Sequence, residues 1–195
     1  MLIRRRPVSP SPAAARRLAA LLRADRQRMA VLRALRDLRL PDGAVGAGFV
    51  RSAVWDAAHG FVRPTPLPDL DILFFDARDR SRNREGAIEQ ALARRLPGLP
   101  FSARNQARMH RRNGDAPYRD TAHALRFWLE TATCVAVRLT RRGAIDVIAP
   151  YGLDDLLALR SRPTPAGRRK PDQYTARMTA RNWPATWPKV NIDMP

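Results

Sequence analysis

The chain is poor in cysteine, lysine and glutamate, and it has no long apolar run. Cys134 is its one cysteine, among 195 residues. That excludes an intramolecular disulfide and any zinc site built from cysteines alone. No stretch approaches 18 uninterrupted apolar residues, so no spanning helix is expected. The basic, proline-bearing start lacks the apolar segment of a secretory signal. A soluble protein of a reducing compartment, the cytoplasm, is the expectation, with no membrane partner.

Glutamate occurs only at Glu85, Glu89 and Glu130, and lysine only at Lys170 and Lys189. Acids total 18 against 36 basic residues, and the formal net charge is +18. Such a charge draws nucleic acid, nucleotides or anionic surfaces. The arginines are spread along the whole chain, which reads more as general surface charge than as one dedicated nucleic-acid patch. Nucleic acid stays open as a partner on the charge alone.

Residues 1–13 read as a disordered basic arm, with Arg4, Arg5 and Arg6 followed by Pro7, Pro10 and Pro12. Leucines near helical spacing predict one helix over 14–39, stopped by Pro41-Asp42-Gly43. Ala44–Ala47 predicts a short buried strand. Gly46 and Gly48 then turn into a helix from Phe49. The clearest strand is Leu70–Phe75. Glu85–Leu96 predicts a helix and Phe101–His110 a second strand. Residues 111–119 read as a polar loop and 120–129 as a short helix. A hairpin is expected from 135–139 and 144–149 around Arg141-Arg142-Gly143. A short helix over 152–159, a linker over 163–171 and a last helix over 172–183 complete the pattern. Alternating strands and helices predict an α+β domain with a mixed sheet over 14–162, against which the linker and C-terminal helix of 163–195 pack. No P-loop, zincin or nucleophile-elbow motif occurs, which argues against those enzyme classes.

The sharpest chemical feature is Asp69-Leu70-Asp71. Alternate strand residues share a face, so both carboxylates point the same way. Two adjacent carboxylates repel when ionised, and a hard divalent cation relieves that cost. The plain alternative is an exposed strand entry. Upstream, Gly46 and Gly48 sit on a strand-to-helix turn, where free amides bind phosphate; tight packing is the plain reading of the glycines. In the second strand, alternation places Arg104, Gln106, Arg108 and His110 in one row. That row suits phosphate or base contact, or is simply a solvated face. Glu130, after Phe127-Trp128-Leu129, and Asp146, between Ile145 and Val147, are each candidates for a third carboxylate. No histidine pairs with another histidine or cysteine at metal-ligand spacing.

Several motifs in order carry a resemblance. They are Gly48-Phe49-Val50-Arg51-Ser52-Ala53-Val54-Trp55-Asp56, His59-Gly60, Pro66-Leu67-Pro68-Asp69-Leu70-Asp71-Ile72 and Arg104-Asn105-Gln106-Ala107-Arg108-Met109-His110. Pro117-Tyr118, Glu130-Thr131-Ala132-Thr133, Ala149-Pro150-Tyr151-Gly152-Leu153-Asp154-Asp155-Leu156, and the tail Tyr174, Arg177, Trp183, Trp187-Pro188 follow. Together they resemble a family of small bacterial nucleotidyltransferase-like proteins of the polymerase-β-like superfamily, over about residues 15–190. Ser52 stands where that family usually has Asn, and residues 49–68 separate the glycine turn from Asp69, a longer gap than usual. The resemblance implies a mixed sheet with flanking helices. It implies Asp69 and Asp71 as catalytic metal ligands and Asp146 as the third, with Glu130 its rival. Gly46 and Gly48 would flank the triphosphate, and Arg51, Arg104, Gln106 and Arg108 would contact nucleotide. The implied activity is transfer of a nucleoside monophosphate from an NTP to an acceptor hydroxyl, with two Mg²⁺ (or Mn²⁺) ions. The acceptor is left open between small molecule, RNA and protein. The alternative is an inactive protein of this fold that binds nucleotide or RNA.

Overall fold

The N-terminal apolar pattern folds as two helices, where one was expected. In the computed structural model, which describes residues 10–194, α1 (Pro12–Ala24) ends at Asp25 and α2 (Arg26–Asp37) starts there. Asp25 is extended (φ −94°, ψ 109°), and its carboxylate accepts the Arg28 amide at 2.9 Å. One aspartate thus caps the second helix and breaks the first. Leucine spacing continues across the break, which is why the sequence reads as one helix. Of the expected arm, residues 1–9 lie outside the described residues. Pro12 and Ala13 already belong to α1, with Ser11 as its cap.

The main sheet has five strands: β1 (Ala44–Gly46), β2 (Leu70–Phe74), β3 (Phe101–Asn105), β4 (Ala136–Leu139) and β5 (Ile145–Ile148), ordered β3-β2-β1-β4-β5. β1 runs antiparallel to both neighbours. β2 and β3 are parallel, joined by α4 (Arg82–Arg95), as a parallel pair requires a crossover. β4 and β5 form the expected hairpin. Between β1 and β2 lies α3 (Gly48–His59).

The expected strand over 101–110 stops halfway. Asn105 accepts the Ala107 amide on its Oδ1 at 3.1 Å and caps α5 (Gln106–Asn113). A polar cap beats the alternation that continues in sequence. Gln106, Arg108 and His110 therefore do not share a strand face with Arg104. The remaining elements are α6 (Thr121–Leu125), α7 (Asp154–Leu157), β6 (Arg160–Ser161), α8 (Pro165–Arg169), α9 (Pro171–Arg181), α10 (Trp183–Thr186) and β7 (Asn191–Ile192). Most of the expected linker is α8. β6 and β7 make a separate two-stranded parallel sheet.

Alternation along β2 divides the sheet. Leu70, Ile72 and Phe74 are buried in the main core with Leu22, Leu32, Val50 and Leu92. The opposite face carries Asp71 and Leu73; there Leu73 joins Ala44, Leu125 and Ala136 in a small second cluster. The C-terminal segment closes on α3 through tryptophan. Trp55 meets Trp183 and Trp187 edge-on, at ring separations of 5.2 and 5.3 Å. The Trp187 indole also donates to Asp56 at 2.8 Å. Among the described residues, no helix is long and apolar enough to cross a membrane.

Candidate active site

Asp69 precedes β2 and Asp71 lies within it, on the same side as Leu73. All three line one cleft of about 490 Å³. Ala47, at the β1–α3 turn, also lines it. Arg104, Gln106 and Arg112 come from β3 and α5. Phe127, Trp128 and Glu130 come from the segment after α6. Gln173, Arg177 and Arg181 come from α9. These last three are four residues apart, so they form one helix face. Five cationic side chains and three acids line the cleft.

Asp71 is mostly buried. Desolvation, with Asp69 alongside, pushes its carboxyl up to about 6, against the opposing pull of Arg177, Arg181 and Arg104. Among the described residues no cationic nitrogen lies within 4 Å of either carboxylate, despite the arginines that line the cleft. That fits a hard cation.

The β1–α3 turn leaves amides unpaired at the start of α3. The helix bonds begin with the Val50 and Arg51 amides, which donate to the Ala47 carbonyl at 3.1 and 2.9 Å. The Gly48 and Phe49 amides at the helix start have no such intrahelical acceptor. The turn forces Ala47 to φ 51° and ψ −121°, a conformation costly for any residue with a Cβ. Gly46 serves packing. A Cβ there would lie 3.0 Å from the Val135 carbonyl oxygen and 3.2 Å from Leu73 Cδ1. At Gly48 a Cβ would make ordinary contacts, with Arg51 Nη2 at 3.7 Å and Leu67 Cδ2 at 3.8 Å.

The other expected site residues divide. Arg104 and Gln106 line the cleft. Arg104 donates to Glu89 at 3.1 Å, and Gln106 donates to the Arg104 carbonyl at 3.0 Å. Arg108 does not line it, because α5 turns its guanidinium to Glu85 on α4 (Nε–Oε1 2.9 Å). Arg51 does not line the cleft and is 7% exposed.

Neither candidate for the third carboxylate is free. Asp146 sits on β5 and accepts from Arg138 at 2.8 Å, and Arg138 also binds Asp42 at 2.7 Å. It does not line the cleft. Glu130 does, but it is fully buried and already satisfied. It accepts from the Thr133 hydroxyl at 2.6 Å and from Arg177 Nε at 2.9 and 3.0 Å. Burial pulls the Arg177 guanidinium down, but Glu130, with Asp71 and Asp69 beyond it, outweighs this and raises it. Glu130 therefore anchors an arginine in the cleft. Among the described residues, no three His, Cys, Asp or Glu side chains gather to hold a metal ion.

Sequence reasoning assigned no role to Arg112, Lys170, Gln173, Arg177, Arg181, Phe127 or Trp128. The spacing of Gln173, Arg177 and Arg181 is a legible signal of one shared face, but which surface that face meets is set only by the fold.

Residues 33–192 match the sequence pattern of a nucleotidyltransferase family. A solved NMR structure described as a CCA-adding enzyme head domain is 28% identical. It superposes with a TM-score of 0.82, over 92% of this chain and 96% of that one. Two structures of tRNA-processing enzymes share the fold at lower identity. One, with CTP, is 15% identical with a TM-score of 0.54, over 84% of this chain and 43% of that one. The other, an apo form, is 14% identical with a TM-score of 0.53, over 96% and 46%. No curated protein sequence matches the chain. The mixed sheet, its flanking helices and the match over residues 33–192 place this chain in the nucleotidyltransferase family, as an enzyme of that type.

Proposed function

We propose that the cleft binds a nucleoside triphosphate with a divalent cation and transfers its nucleoside monophosphate to an acceptor hydroxyl. The observation that carries this is the Asp69–Asp71 pair. It shares one arginine-rimmed cleft with the β1–α3 turn, whose helix start favours an anion. The two carboxylates fit Mg²⁺ (or Mn²⁺), which commonly takes one or two carboxylates and completes its shell with phosphate oxygens and water. Bound there, the cation would neutralise phosphate charge and polarise the P–O bonds. A third carboxylate is not part of this reading.

The chain's own residues do the rest. The start of α3 faces the phosphates with its free amides. Arg177 and Arg181, on one face of α9, offset the negative charge that grows on the leaving pyrophosphate. Arg177 is held for this by Glu130. Phe127 and Trp128 offer the base an apolar surface. Two of the structural neighbours are tRNA-processing enzymes, one solved with CTP, which supports an NTP donor and favours RNA among the acceptors. A second reading, nucleotide binding without turnover, is favoured by the engagement of Asp146 with Arg138 and of Glu130 with Arg177.

The test is thermal denaturation with ATP, GTP, CTP and UTP, with and without Mg²⁺, on wild type and Asp71→Asn. A ligand at 100 times its Kd stabilises by about 2.7 kcal/mol. A shift that needs both Mg²⁺ and Asp71 is expected for at least one nucleotide. No shift with any of the four overturns the proposal. A shift with no product on any RNA, protein or small hydroxyl acceptor supports the second reading.

A further inference from the structure

Arg51 is a buried cation without a carboxylate partner. It is 7% exposed, and among the described residues no acid oxygen lies within 4 Å of its guanidinium. Its one side-chain hydrogen bond goes to the Ser52 hydroxyl at 3.2 Å, and its Nε has no acceptor. Three indoles surround it instead. The guanidinium carbon lies 5.4 Å from the Trp55 ring centroid, 4.7 Å from Trp183 and 5.2 Å from Trp187. Two of these rings belong to the C-terminal segment and one to α3.

Removing a charge from water without a counter-ion is costly, and a nearby acid is the usual remedy. An acid would also hold the guanidinium's N–H groups. Indole faces attract the cation electrostatically while accepting almost none of its hydrogen bonds. The cage therefore keeps Arg51 charged and leaves its Nε without an acceptor. Burial still tells: with Arg181 adding to it, the guanidinium is pulled down to about 10, which leaves it protonated at neutral pH.

The position matters too. Arg51 lies in the first turn of α3, and Nη2 is the nearest atom, at 3.7 Å, to where a Cβ on Gly48 would stand. The caged guanidinium thus sits beside the start of a twelve-residue helix, its Nη2 hydrogen-bonded to the Ser52 hydroxyl and its Nε without an acceptor. Two independent features, a helix start and a buried orphaned guanidinium, aim positive potential at one place.

We infer that Trp183 and Trp187 are positioning residues that hold Arg51 as an unneutralised cation for the phosphates of the bound nucleotide. The two tryptophans then complete the nucleotide site without touching substrate. This rests on the nucleotide reading above, and it adds what that reading lacks: a reason for three tryptophans around one arginine. It also separates two roles. A structural arginine loses stability when replaced. A charge stored for a ligand costs stability in the free protein, so its removal leaves the fold as stable or more so while anion binding fails.

The experiment uses inorganic tripolyphosphate with Mg²⁺ as the probe, measured by calorimetry on the full chain. Trp183→Leu is expected to weaken binding about tenfold, and Trp183→Phe, which restores an aromatic face, to recover most of it. Arg51→Met keeps the bulk without the charge. It is expected to lose binding at least tenfold with an unchanged or higher Tm, and it decides the matter if Trp183→Leu does not fold. Wild-type affinity in a folded Trp183→Leu or Arg51→Met protein overturns the inference and leaves the nucleotide reading standing. A lower Tm for Arg51→Met with affinity unchanged does the same. A wild-type protein that takes no tripolyphosphate overturns both.

Discussion

Glu130 and Arg177 are joined side by side, with Arg177 Nε 2.9 and 3.0 Å from the two carboxylate oxygens and Nη2 2.8 Å from Oε1. The carboxylate is wholly buried, whereas about a third of the arginine side chain reaches solvent. The pair thus fastens the loop before β4 to α9 and sets a cation in the cleft. Replacing Glu130 by Gln leaves Arg177 without its anchor and the Thr133 hydroxyl with a weaker acceptor. A loss of about 2 kcal/mol is expected, read by urea unfolding. Arg177→Met should cost no less, because it leaves a buried charge unpaired. In the double variant the two losses should fail to add. Strict additivity would contradict the pairing.

Asp71 makes the apo-protein's stability fall with pH. Its carboxyl is raised by burial and by Asp69 to about 6, above the ordinary 3.8, so the fold prefers it protonated. That contribution is fully present below about pH 4 and is lost as pH rises through about 6. Unfolding free energies measured between pH 4 and 7 without divalent cations should show this decline in wild type. Asp71→Asn should remove its share of the slope. Mg²⁺ should bind more weakly at pH 5 than at pH 7.5, because it competes with that proton.

Two glycines in helices should respond oppositely to alanine. At Gly167 in α8 a Cβ would lie 2.2 Å from the Leu129 carbonyl oxygen, closer than any relaxed contact. Gly167→Ala must push α8 off the segment that carries Glu130, and a loss of about 2 kcal/mol or more is expected. At Gly86 in α4 a Cβ would meet nothing within 4 Å. Gly86→Ala should gain about 0.5–1 kcal/mol from helix propensity. Paired thermal melts check both.

Ala47 holds a backbone conformation that suits glycine, at the lip of the cleft. Ala47→Gly should raise stability by about 1 kcal/mol by removing the Cβ clash. It should leave the nucleotide-dependent thermal shift in place, because the Ala47 carbonyl acceptor and the α3 amides are backbone groups. A fall in Tm would mean that the methyl group packs more favourably than the turn strains.

Patterns with a short period were legible in the chain alone. The Asp69-Leu70-Asp71 spacing put two carboxylates on one face because a strand alternates by two. The glycines at 46 and 48 marked the strand-to-helix turn, and the run of ordered motifs pointed to the nucleotidyltransferase family. Local caps were harder to see. Asp25 and Asn105 each end one element and begin another by accepting a backbone amide of the helix that follows, a local gain that a continuing apolar rhythm hides.

What the sequence by itself determined is which residues can share a strand or a helix face, since that depends on period alone: Asp69 with Asp71, and Gln173 with Arg177 and Arg181. Only the tertiary structure decided which charges would meet. Asp146 went to Arg138, Glu130 to Arg177 and Arg108 to Glu85, while Arg51 went to three indoles. An ion pair is made by distance in space, between residues as far apart in the chain as 130 and 177. No spacing rule along the sequence carries that information.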